Sequence, residues 1–182
     1  MRSVYLQRPD AEELRRYSEG RWGKFRIWWP VAVALIVIAF ESTSTFSSQN
    51  TSGWIRPWIE RFVGHINDQV WQVGHHLARK TGHFVGYGSL ALTLLRAWLY
   101  TLGQDVRLTL ARWRWGSVWR AIAGTFVVAS LDELHQSFMP SRTGLFSDVV
   151  LDTVGGSVLC GVVWLVFGWW RKAKTSDPNS AA

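Results

Sequence analysis

Four long apolar segments alternate with polar ones along the chain, at about residues 27–46, 78–102, 119–135 and 148–170. A helix that crosses a bilayer needs ~20 mostly apolar residues. The first segment reaches that length only if it extends to Phe46, which places Glu41 near its boundary. The pattern predicts an all-α, polytopic membrane protein built on a bundle of four transmembrane helices.

A fifth pattern lies between the first two segments. Apolar residues recur every three or four positions from Ile55 to Leu77, which is the period of an amphipathic helix. Such a helix lies on the membrane surface or folds back into the mouth of the bundle. Pro57 suits its first turn, and Gly64 or Gly74 is a candidate break. We expect an extracytoplasmic, amphipathic helical segment here.

Composition supports the membrane class. The chain has 182 residues, 48% of them hydrophobic, and includes 13 Trp, a residue that gathers at membrane interfaces. Arg and Trp alternate between residues 103 and 120, which favours an anchor on anionic lipid over a nucleic-acid site. The chain has one cysteine, Cys160, so it cannot form an internal disulfide. Its position within an apolar segment favours a packing role over nucleophilic chemistry. We see no cleavable signal peptide.

The basic residues predict the orientation. Fifteen of the 20 Lys and Arg residues fall in the N-terminal segment, in residues 96–120 and in the tail. Because cytoplasmic loops carry the excess of positive charge, both termini should be cytoplasmic. The domains are then a cytoplasmic N-terminal segment (1–26), a transmembrane domain (27–170) and a cytoplasmic, disordered tail (171–182).

This orientation brings polar side chains from several helices to the outer membrane level. Ionisable groups are rare near lipid unless they pair with one another or act on a ligand. On the second segment, Arg79, His83 and Tyr87 share a helix face at i, i+4 and i+8. The candidate ligand-binding residues are Arg79, Lys80, His83, Asp132, Glu133, His135, Gln136, Arg142, Asp148 and Asp152.

Three interpretations of this cluster stay open. The first is a network of ion pairs that only holds the helices together. The second is a site for an anionic ligand, since Arg79, Lys80 and Arg142 suit phosphate or carboxylate groups. The third is an enzyme that uses two carboxylates and a His in acid–base catalysis, or His83, His135 and a carboxylate on a metal. Without His-x-x-x-His spacing we predict no metal and no cofactor, and we assign no catalytic residue.

Three motifs together resemble the VanZ-like family of small bacterial membrane proteins, over about residues 27–170. They are Arg79-Lys80 with Gly82-His83-Phe84 and Tyr87-Gly88; Asp132-Glu133 with His135-Gln136, Phe138, Pro140 and Arg142; and Asp148-Val149 with Asp152-Thr153 and Gly155. Family members often carry Asn where Asp152 stands. The resemblance implies the bacterial inner (cytoplasmic) membrane and a link to teicoplanin-type glycopeptide resistance, but no particular reaction.

The favoured function is therefore binding of an anionic envelope ligand by the polar cluster. The expected partners are the lipid bilayer and a lipid-linked envelope precursor or lipoglycopeptide, with no nucleic acid. The alternatives are an intramembrane hydrolase or transferase acting on a lipid-linked substrate, and a purely structural or accessory protein. The oligomeric state stays open.

Overall fold

The computed structural model describes residues 4, 5, 7–43, 48–140 and 144–175, which form six α-helices and no strand. The helices are α1 (Ala11–Ser18), α2 (Gly23–Glu41), α3 (Ser48–Val63), α4 (Asp68–Gly103), α5 (Leu110–Ser137) and α6 (Phe146–Thr175). The prediction of an all-α chain is confirmed. Helix α6 continues to Thr175, into the segment predicted as a disordered tail.

The amphipathic segment is divided into two helices at Gly64, one of the two candidate breaks. Helix α3 ends at Val63, and Gly64 has a φ of 81°, in the left-handed region that glycine tolerates without steric cost. Helix α4 then begins at Asp68, where the Asn67 side chain accepts a hydrogen bond from the Gln69 backbone N–H at 2.9 Å. The helix is interrupted at Gly64, and α3 packs back against the start of α4.

Helix α4 is the centre of the bundle and packs against α2, α5 and α6. Its 36 residues make it about 54 Å long, since each residue of an α-helix adds about 1.5 Å. All of its buried residues lie between Tyr87 and Gly103. The part before Tyr87 therefore extends past the buried core, and α3 folds against it.

Helix α5 packs through a stripe of small side chains that recurs at every fourth residue. Small residues let neighbouring helix backbones approach closely. The stripe, fully buried, consists of Ser117, Ala121, Thr125 and Ala129. The same face continues into Asp132, Glu133 and Gln136, all buried. The packing pattern of α5 thus carries two carboxylates into the interior.

Glycines on α6 allow it to lie close to α4. A Cβ placed on Gly155 would stand 2.9 Å from the Phe84 carbonyl oxygen, and one on Gly156 would stand 2.9 Å from the Ala91 Cβ. Any larger side chain at Gly155 would meet backbone, which cannot move aside as a flexible side chain can. The close contact between α4 and α6 therefore depends on having glycine, which lacks a side chain, at these two positions.

Among the residues that the structure describes, two segments are long and apolar enough to cross a membrane, namely α2 and Phe146–Val166 of α6. Only 22% and 28% of them, respectively, is buried inside the protein, so their apolar faces are exposed as lipid-contacting faces would be. Helices α4 and α5 do not meet the same criterion. Arg96 lowers the hydropathy of α4, and α5 carries Arg120 and two acids near its end. The bundle of four transmembrane helices stays a prediction.

The N-terminal segment packs against the end of α4. Helix α1 is capped by Asp10, whose side chain accepts from the Glu13 N–H at 2.8 Å. Tyr100 Oη donates to Glu13 Oε1 at 2.7 Å. The Arg96 guanidinium lies 5.4 Å from the Tyr17 ring centre and 5.1 Å from that of Tyr100, within cation–π range. These contacts join α1 to the core bundle.

A group of ion pairs fastens α3 to the start of α4. Arg56 contacts Glu60 Oε1 at 3.0 Å and Asp68 Oδ1 at 2.7 Å. The Ile66 N–H also donates to Glu60 Oε1 at 3.0 Å, and His65 Nδ1 lies 3.6 Å away. The Ile66 hydrogen bond, and then Arg56, lower the pKa of Glu60 below its ordinary value. The folded arrangement therefore favours the ionised carboxylate.

We predict that Gly155→Val destabilises the protein by about 1–3 kcal/mol, the usual cost of overpacking, because the new side chain would meet Phe84. Gly161→Val is the matched control, since it makes the same change on the same helix and a Cβ there has nothing within 4 Å. The measurement is the midpoint of thermal unfolding by circular dichroism in one detergent. Equal losses in both variants would contradict the close packing of α4 and α6.

We also predict that acid separates α3 from α4. The ionised Glu60 contributes fully above the ordinary Glu pKa of about 4.3, and this contribution is lost as the pH falls through its lowered pKa. Spin labels at the exposed positions Phe62 and Gln72 would show a broader distance distribution below about pH 4. Glu60→Gln should broaden it already at pH 7. A distribution unchanged by either treatment would rule out this fastening role.

Candidate functional site

Three buried carboxylates meet where α4, α5 and α6 come together. The exposed fraction is 9% for Asp132, 5% for Glu133 and 0% for Asp152. Asp132 and Glu133 fall on the packed face of α5, and Asp152 precedes Gly156 by one turn on the packed face of α6. A buried charge requires hydrogen-bonding or charged partners, so the contacts of each acid define the site.

Asp132 is held by two neutral donors. Tyr87 Oη on α4 donates to Asp132 Oδ2 at 2.8 Å, and Gln136 Nε2, one turn along α5, donates to the same oxygen at 3.0 Å. Both donors are themselves buried. The pair of hydrogen bonds fixes this carboxylate between α4 and α5.

Asp152 has a weaker set of partners. Its Oδ2 lies 3.4 Å from His83 Nδ1, longer than the 2.7–3.2 Å of a good N–H···O hydrogen bond. Its Oδ1 is buried and has no hydrogen-bond partner among the residues that the structure describes. Asp152 is thus the least satisfied of the three buried acids.

Glu133 points towards the connection between α5 and α6. Its Oε2 accepts from the Leu145 N–H at 2.8 Å. A Cβ at Gly144 would collide with the Glu133 carbonyl oxygen, so glycine lets this connection pass close to the end of α5. Nearby, at the more exposed edge of the site, Lys80 Nζ pairs with Asp148 Oδ1 at 3.1 Å.

His83, Glu133 and Asp152 form a compact group of potential ligands from three different helices. Each presents one nitrogen or oxygen atom, and these atoms lie within 4.8 Å of one another. An imidazole and two carboxylates can accept protons, and the same donor set can coordinate a cation. Among the clusters in the described part of the chain, this group is the best suited to acid–base catalysis or to cation binding.

A groove of about 510 Å³ lies beside this group, between α3 and α4. Its walls are apolar along most of its length, formed by Ile55, Ile59, Ile66, Val70, Trp71 and Ala78. Glu41, Arg79 and His83 line the end nearest the bundle. Since His83 also contacts Asp152, the groove and the buried acids meet at a single side chain.

Arg79 is the cation of the groove. It is partly buried, and it has no ion-pair or hydrogen-bond partner among the described residues. Lys80, its neighbour in sequence, is already paired with Asp148. The polar end of the groove therefore offers a guanidinium to an incoming anion.

The structure separates the ten candidate residues into several groups. His83, Asp132, Glu133, Gln136 and Asp152 come together in or beside the interior, Lys80 and Asp148 pair at its edge, and Arg79 faces the groove. His135 is exposed, and no described residue is a hydrogen-bond partner of its imidazole. Arg142 lies outside the described residues.

Sequence reasoning left two parts of the site out of the candidate set. Tyr87 was recognised on the face of Arg79 and His83, but its bond to Asp132 needs the distance between α4 and α5, which periodicity does not give. The groove wall from Ile55 to Val70 was recognised only as an amphipathic pattern. That pattern was the available signal, because its apolar face had to pack against something.

We predict that Tyr87 and Asp132 are energetically coupled. Tyr87→Phe and Asp132→Ala should each destabilise the protein, and the double variant should lose less than the sum by about 1 kcal/mol or more, because each single change removes the same hydrogen bond. Thermal unfolding of the four proteins in one detergent measures this. Strict additivity would mean that the contact contributes nothing of its own.

Comparison with known proteins agrees with the motif resemblance. The profile of the VanZ/LLP1 family matches residues 25–167, from the start of α2 into the last turns of α6. No curated protein and no solved structure matches the chain. The family match and the two apolar helices indicate a membrane protein. The chain belongs to the VanZ/LLP1 family.

Proposed function

We propose that this protein binds an amphiphile with an anionic head group in the groove between α3 and α4. The observation that carries the proposal is Arg79, which stands at the polar end of an apolar groove without an ion-pair partner among the described residues. A guanidinium can donate two parallel hydrogen bonds to a phosphate or carboxylate. Arg79 would therefore bind the head group.

The rest of the groove suits the apolar chain of such a ligand. A volume of about 510 Å³ is within the usual range for small-molecule sites, and Ile55, Ile59, Ile66 and Val70 supply its walls. Outside the groove, Trp58 and Phe62 on α3 are exposed, as expected for a helix that lies at a membrane interface. A lipid could then enter from the bilayer without crossing water.

The proposed topology has four transmembrane helices in the bacterial cytoplasmic membrane, with both termini in the cytoplasm. The distribution of basic residues supports it. At about 54 Å, α4 is also longer than the ~30 Å hydrocarbon core, so its first part would extend beyond the lipid on the outer side. The ligand is then an envelope lipid, such as a lipid-linked precursor, or a lipoglycopeptide. The link to glycopeptide resistance follows from the family resemblance.

An enzyme acting on the same lipid-linked substrate is the second candidate, either a hydrolase or a transferase. The observation that favours it is the position of His83, which lines the groove and lies 3.4 Å from Asp152. A His oriented by a carboxylate is a common general base. A purely structural network is less well supported, because Arg79 and Asp152 would be expected to pair within it.

The proposal predicts that a polyprenyl phosphate binds and that the matching polyprenol binds much more weakly. Arg79→Ala should weaken phosphate binding by about 10- to 100-fold, the loss expected for charged hydrogen bonds worth about 1.5–3 kcal/mol. Native mass spectrometry of the detergent-purified chain would give the affinities. A second measurement is the teicoplanin susceptibility of cells that express either form.

Arg61→Ala is the matched control. Arg61 lies on α3 outside the groove and is exposed, so its removal changes the net charge equally but leaves the site intact. Equal affinity for the phosphate and the alcohol would refute the proposed recognition of an anion. An Arg61→Ala loss as large as that of Arg79→Ala would refute the assignment of the groove.

A further inference from the structure

We propose that His83, Glu133 and Asp152 bind one first-row divalent cation, such as Zn²⁺ or Mn²⁺. One atom from each side chain lies within 4.8 Å of the other two. The three residues come from α4, α5 and α6, so the packed bundle brings them together. The site lies beside the groove but does not depend on an amphiphile being bound there.

Asp152 supplies the first argument. It is fully buried, and its Oδ1 has no hydrogen-bond partner in the described part of the chain. Leaving a carboxylate oxygen buried without a donor is costly. A cation in contact with this carboxylate would remove that cost.

The separation between His83 and Asp152 supplies the second argument. Two ligand atoms that each lie about 2.1 Å from a tetrahedral cation are about 3.4 Å apart. His83 Nδ1 and Asp152 Oδ2 are separated by 3.4 Å, which is long for a hydrogen bond but suits two ligands of one metal. Glu133 presents an oxygen within 4.8 Å of both ligand atoms, and a change of its side-chain rotamer would bring that oxygen to the cation.

The local charge supplies the third argument. Asp132, Glu133 and Asp152 are three buried carboxylates, and no Lys or Arg in the described segments forms an ion pair with any of them. Lys80 is paired with Asp148 instead. A divalent cation would neutralise Glu133 and Asp152, while Asp132 keeps its donors Tyr87 and Gln136.

The donor set indicates which cation fits. Imidazole nitrogen favours Zn²⁺ and its first-row neighbours, whereas Mg²⁺ and Ca²⁺ prefer oxygen alone. Leu145 N–H, which donates to Glu133 Oε2, would orient that ligand, as partners of metal ligands commonly do. Three protein ligands leave a coordination position open, and His83 borders the groove.

The experiment measures binding of Zn²⁺ alone and of Mn²⁺ alone to the full chain. The protein is purified in detergent with its tag removed and is dialysed against a chelator before calorimetry and elemental analysis. We expect one equivalent per chain for at least one cation. Glu133→Gln and Asp152→Asn should each weaken binding at least about tenfold. Asp105→Asn, an exposed position in the connection between α4 and α5 and outside the site, should stay within about twofold of the unchanged protein.

Three outcomes would overturn the site: no stoichiometric binding of either cation, undiminished affinity in Asp152→Asn, or an equal loss in Asp105→Asn. If the variants do not fold, X-ray absorption of the Zn²⁺-loaded unchanged protein decides. A shell of one imidazole nitrogen and carboxylate oxygens supports the site, and a shell with sulfur or without imidazole refutes it. Because no lipid is present, failure of the amphiphile proposal leaves these results unaffected.

Discussion

The burial of three carboxylates at one junction constrains the rest of this structure. An ionised acid taken out of water needs donors or countercharge close by, and each acid here finds a partner outside its own helix. Asp132 uses Tyr87 of α4, Glu133 uses the connection to α6, and Asp152 of α6 uses His83 of α4. The polar contacts therefore join α4, α5 and α6 in one alignment. The apolar outer faces of these helices alone would not determine that alignment.

Such contacts require short distances between helices, because Asp side chains are short. The distances are provided by small residues on the packed faces, among them Ala129 on α5 and Gly155 and Gly156 on α6. A larger residue at Gly155 would push α6 away from Phe84, and Asp152, less than one turn away, would move with it. Packing and polar contacts are thus two parts of one arrangement.

The periodicity predicted the all-α class, and the motifs predicted the family. Where two residues carried equally strong signals, the sequence did not decide between them. Gly64 and Gly74 were equal candidates for the break in the amphipathic segment. The break occurs at Gly64 because Asn67 and Asp68 provide a helix start directly after it, and this capping pattern was available in the sequence. The stripe of small residues on α5 likewise favours Gln136 as the buried residue, whereas His135 shares the face of Asp132 only loosely and is exposed.

Distances across helices could not be obtained in this way. Periodicity assigns a residue to a helix face, but the partner of that face follows from how neighbouring helices rotate and approach each other. For this reason the sequence predicts that Tyr87 and His83 share a helix face, but it does not predict the hydrogen bond between Tyr87 and Asp132. Periodicity also does not determine the membrane topology, because Arg96 and Arg120 reduce the apolar signal of α4 and α5. Only the distribution of basic residues among the loops remains to orient these helices.

The distribution of unsatisfied charge argues against a purely structural role for the site. Replacing a buried ion pair by apolar residues is often neutral or stabilising, so a cluster that served stability alone would be expected at least to pair its charges. Within the described residues, Arg79 has no ion-pair partner, and Asp152 contacts His83 through Oδ2 while its buried Oδ1 has no hydrogen-bond partner. One side of His83 is an apolar groove with a cation at its end, and the other is a buried group of anions. The anionic head group and the cation proposed above would satisfy the two halves separately.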